Sequence, residues 1–337
     1  MAKAGLLHFG PAGAIDKHDV HLAFFDRHLK QLRSEAAEWP AVQYFVMGSG
    51  SLRRITSGMP PAAAVPGSTA DPHVLDFGGE WRVSEEWPPP NGDPTAFYLT
   101  QEGALSTSAP TDSTAPMEAS LCHTGFIYDP AKPVPTVGGS VSAAANTLNP
   151  GGFDQRGSAG LFGVCDDDAP LHTRTDVVSF RTGALPNDTT LLGKVEMALW
   201  VSTDASDTDF TAKLCLEIPA SVDWPEGLSI NLTDSIQRCR YREGYTSSLA
   251  MPREDAVCLE FELYPTCALV QAGQSLRLDI SSSNFPRFDV NDNSGSGIAG
   301  VEAGAGGKAQ QRVWHSAEHP SCMRMRCYPQ GPPAAKL

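Results

Sequence analysis

Apolar positions recur along this chain with two different periods, and the change falls near residue 40. At the start, Ile15, Leu22, Phe25, Leu29 and Leu32 recur at helical spacing and make one apolar face. Asp16 is placed to cap that helix, Asp19 stands at its third position, and Ile15 and Val20 are spaced as a hydrophobic staple. The helix is expected to fade by Ser34 and to break at Trp39-Pro40, because the residue before a proline is pushed out of the α region.

Beyond that point the period is two. Val42, Tyr44 and Val46 alternate, followed later by Val195, Met197, Leu199 and Val201, and by Phe210, Ala212, Leu214, Leu216 and Ile218. Leu259, Phe261 and Leu263 form another such run, and Leu276, Leu278 and Ile280 a further one. Turn residues bound each run and no long helical pattern separates them, so the fold class is all-β: an antiparallel sandwich with Greek-key connections. Segments 49–78, 100–120 and 291–307 are rich in Gly, Ser, Ala, Pro or Asn and are expected to be loops, the first a disordered insertion. The tail 331–337 is expected to be disordered as well.

Composition fits that picture. The 337 residues are 41% apolar, enough for one large core or two ordinary ones without a disulfide or metal. A net charge of −14 repels phosphate backbones and argues against nucleic acid as a partner. No run of ~20 apolar residues occurs and the first residues lack an apolar signal region, so a cytoplasmic location without a membrane is expected. Ala335-Lys336-Leu337 is close to the S-K-L peroxisomal address, which leaves a peroxisomal location open.

The chemistry-bearing residues are sparse. Eight cysteines contain no C-x-x-C pair, and without an export signal they read as packing thiols, with Cys215 inside a strand pattern. The sequons at Asn187 and Asn231 are then idle. The nucleophile-elbow pattern G-x-S-x-G is absent; Arg156-Gly-Ser-Ala-Gly160 comes nearest and carries Arg at its first position. His18, His21 and His28 lie on the opening helix without a third metal ligand, and His315 and His319 read as a polar loop before Pro320. Asp204, Asp207 and Asp209 crowd one turn. Their spacing is not that of an EF-hand, so turn closure is favoured while calcium stays open. Arg238, Arg240 and Arg242 alternate as on one strand face, either solvated, salt-bridged or facing an anion. No catalytic, cofactor or metal residue is therefore assigned.

An ordered set of segments then carries a resemblance. Phe24-Phe-Asp-Arg-His-Leu-Lys30, Tyr44-Phe-Val-Met-Gly48 and Trp81-Arg-Val-Ser-Glu-Glu-Trp-Pro-Pro89 are followed by Phe97-Tyr-Leu. Tyr128-Asp-Pro-Ala-Lys-Pro-Val-Pro-Thr-Val-Gly-Gly139, Asp154-Gln-Arg156 and residues 204–214 come next. Arg238-Cys-Arg-Tyr-Arg242 and Ser281-Ser-Ser-Asn-Phe-Pro-Arg-Phe-Asp-Val-Asn291 complete the series. Together they resemble the C-terminal part of the CocE/NonD acyl hydrolases, the family of cocaine esterase, α-amino-acid ester hydrolases and X-prolyl dipeptidyl peptidases.

The resemblance implies a C-terminal jelly roll, similar to galactose-binding domains, packed on an α/β-hydrolase domain that carries the Ser, Asp and His. The 24–30 helix would close that hydrolase domain, so residues 1–40 are expected to be its helical remnant and 41–330 the jelly roll. His8 matches a position past the family's catalytic His, and none of the triad carries over. The loop Val141-Ser-Ala-Ala-Ala-Asn146 would face the acyl pocket, with small side chains making that side roomier. Three roles follow as expectations: half of a serine hydrolase, a stand-alone jelly roll binding a carbohydrate-like ligand, or a docking partner of a hydrolase subunit. A hydrolase domain in cis or in trans is the expected partner, with self-association through the apolar helix face.

Overall fold

A computed structural model describes residues 2–56, 73–111, 122–141, 148–157, 168–295 and 307–329. In chain order its elements are β1 (Lys3–Ala4), β2 (Leu7–His8), α1 (Lys17–His28), β3 (Val42–Met47), β4 (Arg54–Thr56), β5 (His73–Asp76) and β6 (Gly79–Ser84). Next come β7 (Asp93–Leu99), β8 (Leu105–Ser106), β9 (His123–Tyr128), β10 (Val178–Arg181), β11 (Thr189–Thr203) and β12 (Asp209–Ile218). The last are β13 (Leu228–Arg238), β14 (Val257–Val270), β15 (Ser275–Ser281), β16 (Ala309–Trp314) and β17 (Cys322–Tyr328).

Two sheets face each other. The larger runs β6-β3-β14-β11-β17-β7-β8, with β16 and β9 joined through β11; the smaller runs β10-β15-β12-β13. Consecutive strands β11 and β12 lie in different sheets, so the turn at 204–208 carries the chain across the core. Alternation determines what fills it. Val195, Met197, Leu199 and Val201 from β11 are buried in one cluster with Phe210, Ala212, Leu214 and Leu216 from β12. Register pairs apolar with apolar inside each sheet, Leu199 with Leu259 and Leu214 with Leu278. The pairing is antiparallel apart from β14 with β3 and β2 with β5.

Asp16 caps α1 by accepting the His18 N–H at 2.8 Å, as its spacing predicts. The helix stops at His28, short of the expected Ser34, and Gln31 turns the chain with φ 56°. Ile15 and Val20 are both exposed and bury no staple. The expected boundary at residue 40 is crossed by structure: β1 and β2 join β5 and β4 in a small sheet, and Leu7 is part of the main core. The insertion expected to be disordered at 49–78 contributes β4 and β5, with Val74, Leu75 and Phe77 buried. Residues 57–72, 112–121, 296–306 and the tail lie outside the described residues. No described helix is long and apolar enough to cross a membrane.

Candidate functional site

The second face of β12 is where sequence reasoning and structure part. Asp209, Thr211, Lys213 and Cys215 alternate with the core residues and are buried too. Their cover comes from the segments 134–137 and 153–155 and the stretch after β15. Lys213 Nζ donates to Gln155 Oε1 at 2.8 Å, and Gln155 Nε2 donates to the Val137 carbonyl at 3.0 Å and to Asn231 Oδ1 at 3.2 Å. Val134 N–H donates to Ser283 Oγ at 2.8 Å, and Thr136 N–H to the Phe285 carbonyl at 2.7 Å. Asn231, the second sequon, is thus committed inside the fold. Buried polar groups persist only when partnered in this way.

This scaffold grips a pair of loops. Gly139 and Gly151 exchange N–H to carbonyl bonds at 2.7 and 3.0 Å. Both have positive φ, 103° and 115°, and a Cβ at Gly151 would stand 2.3 Å from the Ala4 carbonyl carbon, so only glycine fits. Arg287 lies beneath them, paired with Asp234 and set over the Tyr264 ring at 5.1 Å. Asn284 Nδ2 donates to the other Asp234 oxygen at 2.8 Å. The base of the 141–146 loop is therefore fixed, while 142–147 lies outside the described residues. Next to it opens a groove of about 420 Å³ lined by Phe9, Tyr44, Phe45, Trp87 and Tyr264, with Gly139 and Gly151 at one wall. Chemically it offers apolar surface, with the Tyr44 hydroxyl buried and unpartnered.

The other expected residues are not brought into this site. His18, His21 and His28 are exposed on α1. His315 lies in the connection between β16 and β17, before Pro320, but is buried there: its Nε2 meets Thr124 Oγ1 at 3.2 Å, and burial holds its pKa below the ordinary imidazole value. Asp204 accepts the Gln310 N–H at 2.9 Å, Asp207 the Arg240 N–H at 2.9 Å, and Asp209 is paired with Arg238 at 2.9 Å. These carboxylates close the turn between sheets. Strand β13 ends at Arg238, correcting the expected alternation; Cys239–Tyr241 form a 3-10 turn, and Arg242 donates to the Cys239, Leu249 and Ala250 carbonyls. Burial pushes the thiols of Cys215 and Cys267 up to about 12 and that of Cys258 up to about 11, far from reactive thiolates. Cys165 and the serine of Arg156-Gly-Ser-Ala-Gly160 lie outside the described residues. Sequence reasoning missed Gln155, Asp234 and Arg287 as the loop's supports; Gln155 and Arg287 stood inside quoted segments without an assigned role, and Asp234 stood outside them.

Two facing sheets with one exposed helix define a β-sandwich domain. Residues 38–323 match the family described as X-Pro dipeptidyl-peptidase C-terminal non-catalytic domain. The chain belongs to that family. It is 33% identical over 305 residues to a cocaine esterase of Rhodococcus sp. (strain MB1 Bresler), covering 90% of this chain and 44% of that protein. An α-amino-acid ester hydrolase structure aligns with TM-score 0.61 and 26% identity over 74% of this chain and 39% of its own. An aminopeptidase from a marine sediment Thaumarchaeota archaeon shares the fold with TM-score 0.67 and 21% identity, over 97% of this chain and 46% of its own. The chain thus spans less than half the length of the relatives it matches, and it is similar to the C-terminal non-catalytic part of CocE/NonD hydrolases.

Proposed function

We propose that this chain is the non-catalytic half of a serine acyl hydrolase, acting on esters, amides or X-Pro peptides. Its part is to dock on an α/β-hydrolase domain, in cis or in trans, that supplies the nucleophile, base and acid. The observation that carries this reading is α1. Its apolar face is turned to solvent, with Leu22 57% exposed alongside Phe24 and Phe25, and Leu29, 74% exposed, and Leu32 follow just past its end. A helix with such a face buries it against another element in a stable assembly. The glycine-locked segments at 138–141 and 148–152 and the aromatic groove beside them would form one wall on the acyl side of a pocket.

Mixing tests it. The chain alone is expected to turn over no p-nitrophenyl ester or X-Pro-p-nitroanilide and to take no fluorophosphonate label, since that chemistry needs an activated serine and an oxyanion hole. Adding a triad-bearing hydrolase domain is expected to form a complex and raise its activity, and Leu22→Asp with Leu29→Asp is expected to abolish both. A serine of this chain labelled by the probe, or no complex with the hydrolase domain, would overturn the proposal.

A further inference from the structure

The edges of the two sheets are guarded unequally. β8 has only two residues, β9 carries Gly125 in its middle, β10 is bridged by Ala104 at Arg181, and β13 is bridged by Asp154 at Ile230. Short strands, weakened strands and covering segments keep sheet edges from pairing with other chains. β6, at the end of the larger sheet, has none of these. Its residues Gly79–Ser84 pair with β3 without a bulge, and among the described residues no strand or bridge covers the other side. We propose that β6 is a self-association edge, which pairs antiparallel with β6 of a second copy and joins the two larger sheets into one.

The sequence of the strand makes it complementary to itself. In an antiparallel pair every second residue turns its N–H and C=O away from its partner, so β6 offers unpaired backbone groups along its outer side. A two-fold axis brings residues of the same orientation opposite each other, so the register between two copies shifts only in steps of two. Three registers bring the centre of the strand into pairing. Shifted one way, Glu80 stands opposite Glu80 of the second copy; shifted the other way, Arg82 stands opposite Arg82. In the middle register Trp81 stands opposite Trp81, and Glu80 of each copy faces Arg82 of the other. Like charges directly opposite destabilise a sheet and opposite charges stabilise it, so Glu80-Trp81-Arg82 selects the middle register.

The side chains are held for that contact. Glu80 and Arg82 share one face, where Arg82 Nε donates to Glu80 Oε1 at 2.7 Å, and the Glu80 side chain keeps 45% exposure. On the other face Trp81 Nε1 donates to the Ala12 carbonyl at 2.8 Å, and its ring meets Phe45 edge-on at 5.3 Å. Side chains ordered before association lose less entropy on binding. Area sets the strength. One six-residue edge buries less than the ~1,200 Å² of a stable interface, so the pair alone is weak, with a dissociation constant in the millimolar range. A second contact between the same copies raises the effective concentration and strengthens it. None of these residues is on α1, so the inference is independent of the docking reading.

The test uses the whole chain carrying Leu22→Asp and Leu29→Asp, which removes association through α1. At the lower concentrations of sedimentation this chain is monomeric. Diluted from about 2 mM to about 0.05 mM, it is expected to diffuse faster by NMR, with concentration-dependent shifts of the 79–84 amides. Glu80→Arg and Arg82→Glu, each alone, put like charges opposite in every register and are expected to weaken the pair about 3–10-fold. Both exchanges together restore opposite charges in the middle register and are expected to recover the parent affinity, which local unfolding would not do. No dilution shift at 79–84, single exchanges that leave the affinity unchanged, or a double exchange that fails to recover it would overturn the proposal.

Discussion

Arg238 grips both carboxylate oxygens of Asp209, donating from Nε at 2.9 Å and from Nη2 at 3.0 Å. The two are register partners on β12 and β13, and Asn291 Nδ2 adds a bond to the same carboxylate at 2.8 Å. The pair therefore ties the turn between sheets to the edge strand and to the chain after β15. Removing one partner of a buried pair leaves an uncompensated charge and costs about 3–5 kcal/mol. Asp209→Ala is expected to lose that much in urea unfolding. Combining Asp209→Leu with Arg238→Met is expected to recover most of it, because both desolvation penalties vanish together. A loss below about 1 kcal/mol for Asp209→Ala would show that the pair contributes little.

Stability should fall on mild acidification, through the buried histidines. Burial lowers the pKa of His315, with His123 adding to the effect and Glu102 opposing it. Burial and Arg312 lower that of His123 likewise. A depressed histidine is neutral in the fold, so the unfolded chain takes up protons first as pH drops below 6.5. Stability is full above that value and is lost as pH falls toward the folded pKa, by at most about 1.4 kcal/mol per pH unit for each histidine. Urea midpoints between about pH 7 and pH 5 measure this. His315→Gln is expected to flatten the slope, and an unchanged slope would remove His315 from the account.

Core substitutions should separate the two ends of the exposure scale. Phe210 is fully buried between the sheets and meets the Phe126 ring edge-on at 6.3 Å. Phe210→Ala is expected to cost about 3–5 kcal/mol, through lost transfer energy and the cavity left behind. Val222 is 96% exposed, and Val222→Asp should stay within about 0.5 kcal/mol of the parent. Thermal melts of the pair would settle whether packing dominates at this position.

The strands were legible because one face of each carries every second apolar residue. That held for β11, β12, β14 and β15, where Leu199, Leu214, Leu216, Ile218, Leu259, Leu263, Leu276, Leu278 and Ile280 all enter the core. The other face of β12 was not legible. Alternation with Asp209, Thr211 and Lys213 looks the same whether water or chain covers it, and here distant segments provide the cover. Arg238, Arg240 and Arg242 misled for a related reason, since spacing of two does not reveal where a strand ends. Low periodicity likewise hid Val74 and Leu75, because β5 is too short to show a pattern. The groove beside Gly139 combines residues from near positions 9, 45, 87, 140 and 264, a juxtaposition that only the fold creates.

The apolar face of α1 gives the last prediction. Deleting residues 1–40 to remove it would be a poor test, because Leu7 is in the core and β2 pairs with β5. Substitution on the helix surface is cleaner. Leu22, Phe25 and Leu29 bury little within this chain, so charging them should leave the unfolding midpoint unchanged. An exposed apolar patch of a few hundred Å² drives association in water. In sedimentation velocity the parent chain is therefore expected to self-associate with rising concentration, and Leu22→Asp with Leu29→Asp to stay monomeric. If parent and variant sediment alike as monomers, the face does not drive association by itself, and its proposed docking would need contacts from the groove beside Gly139 as well.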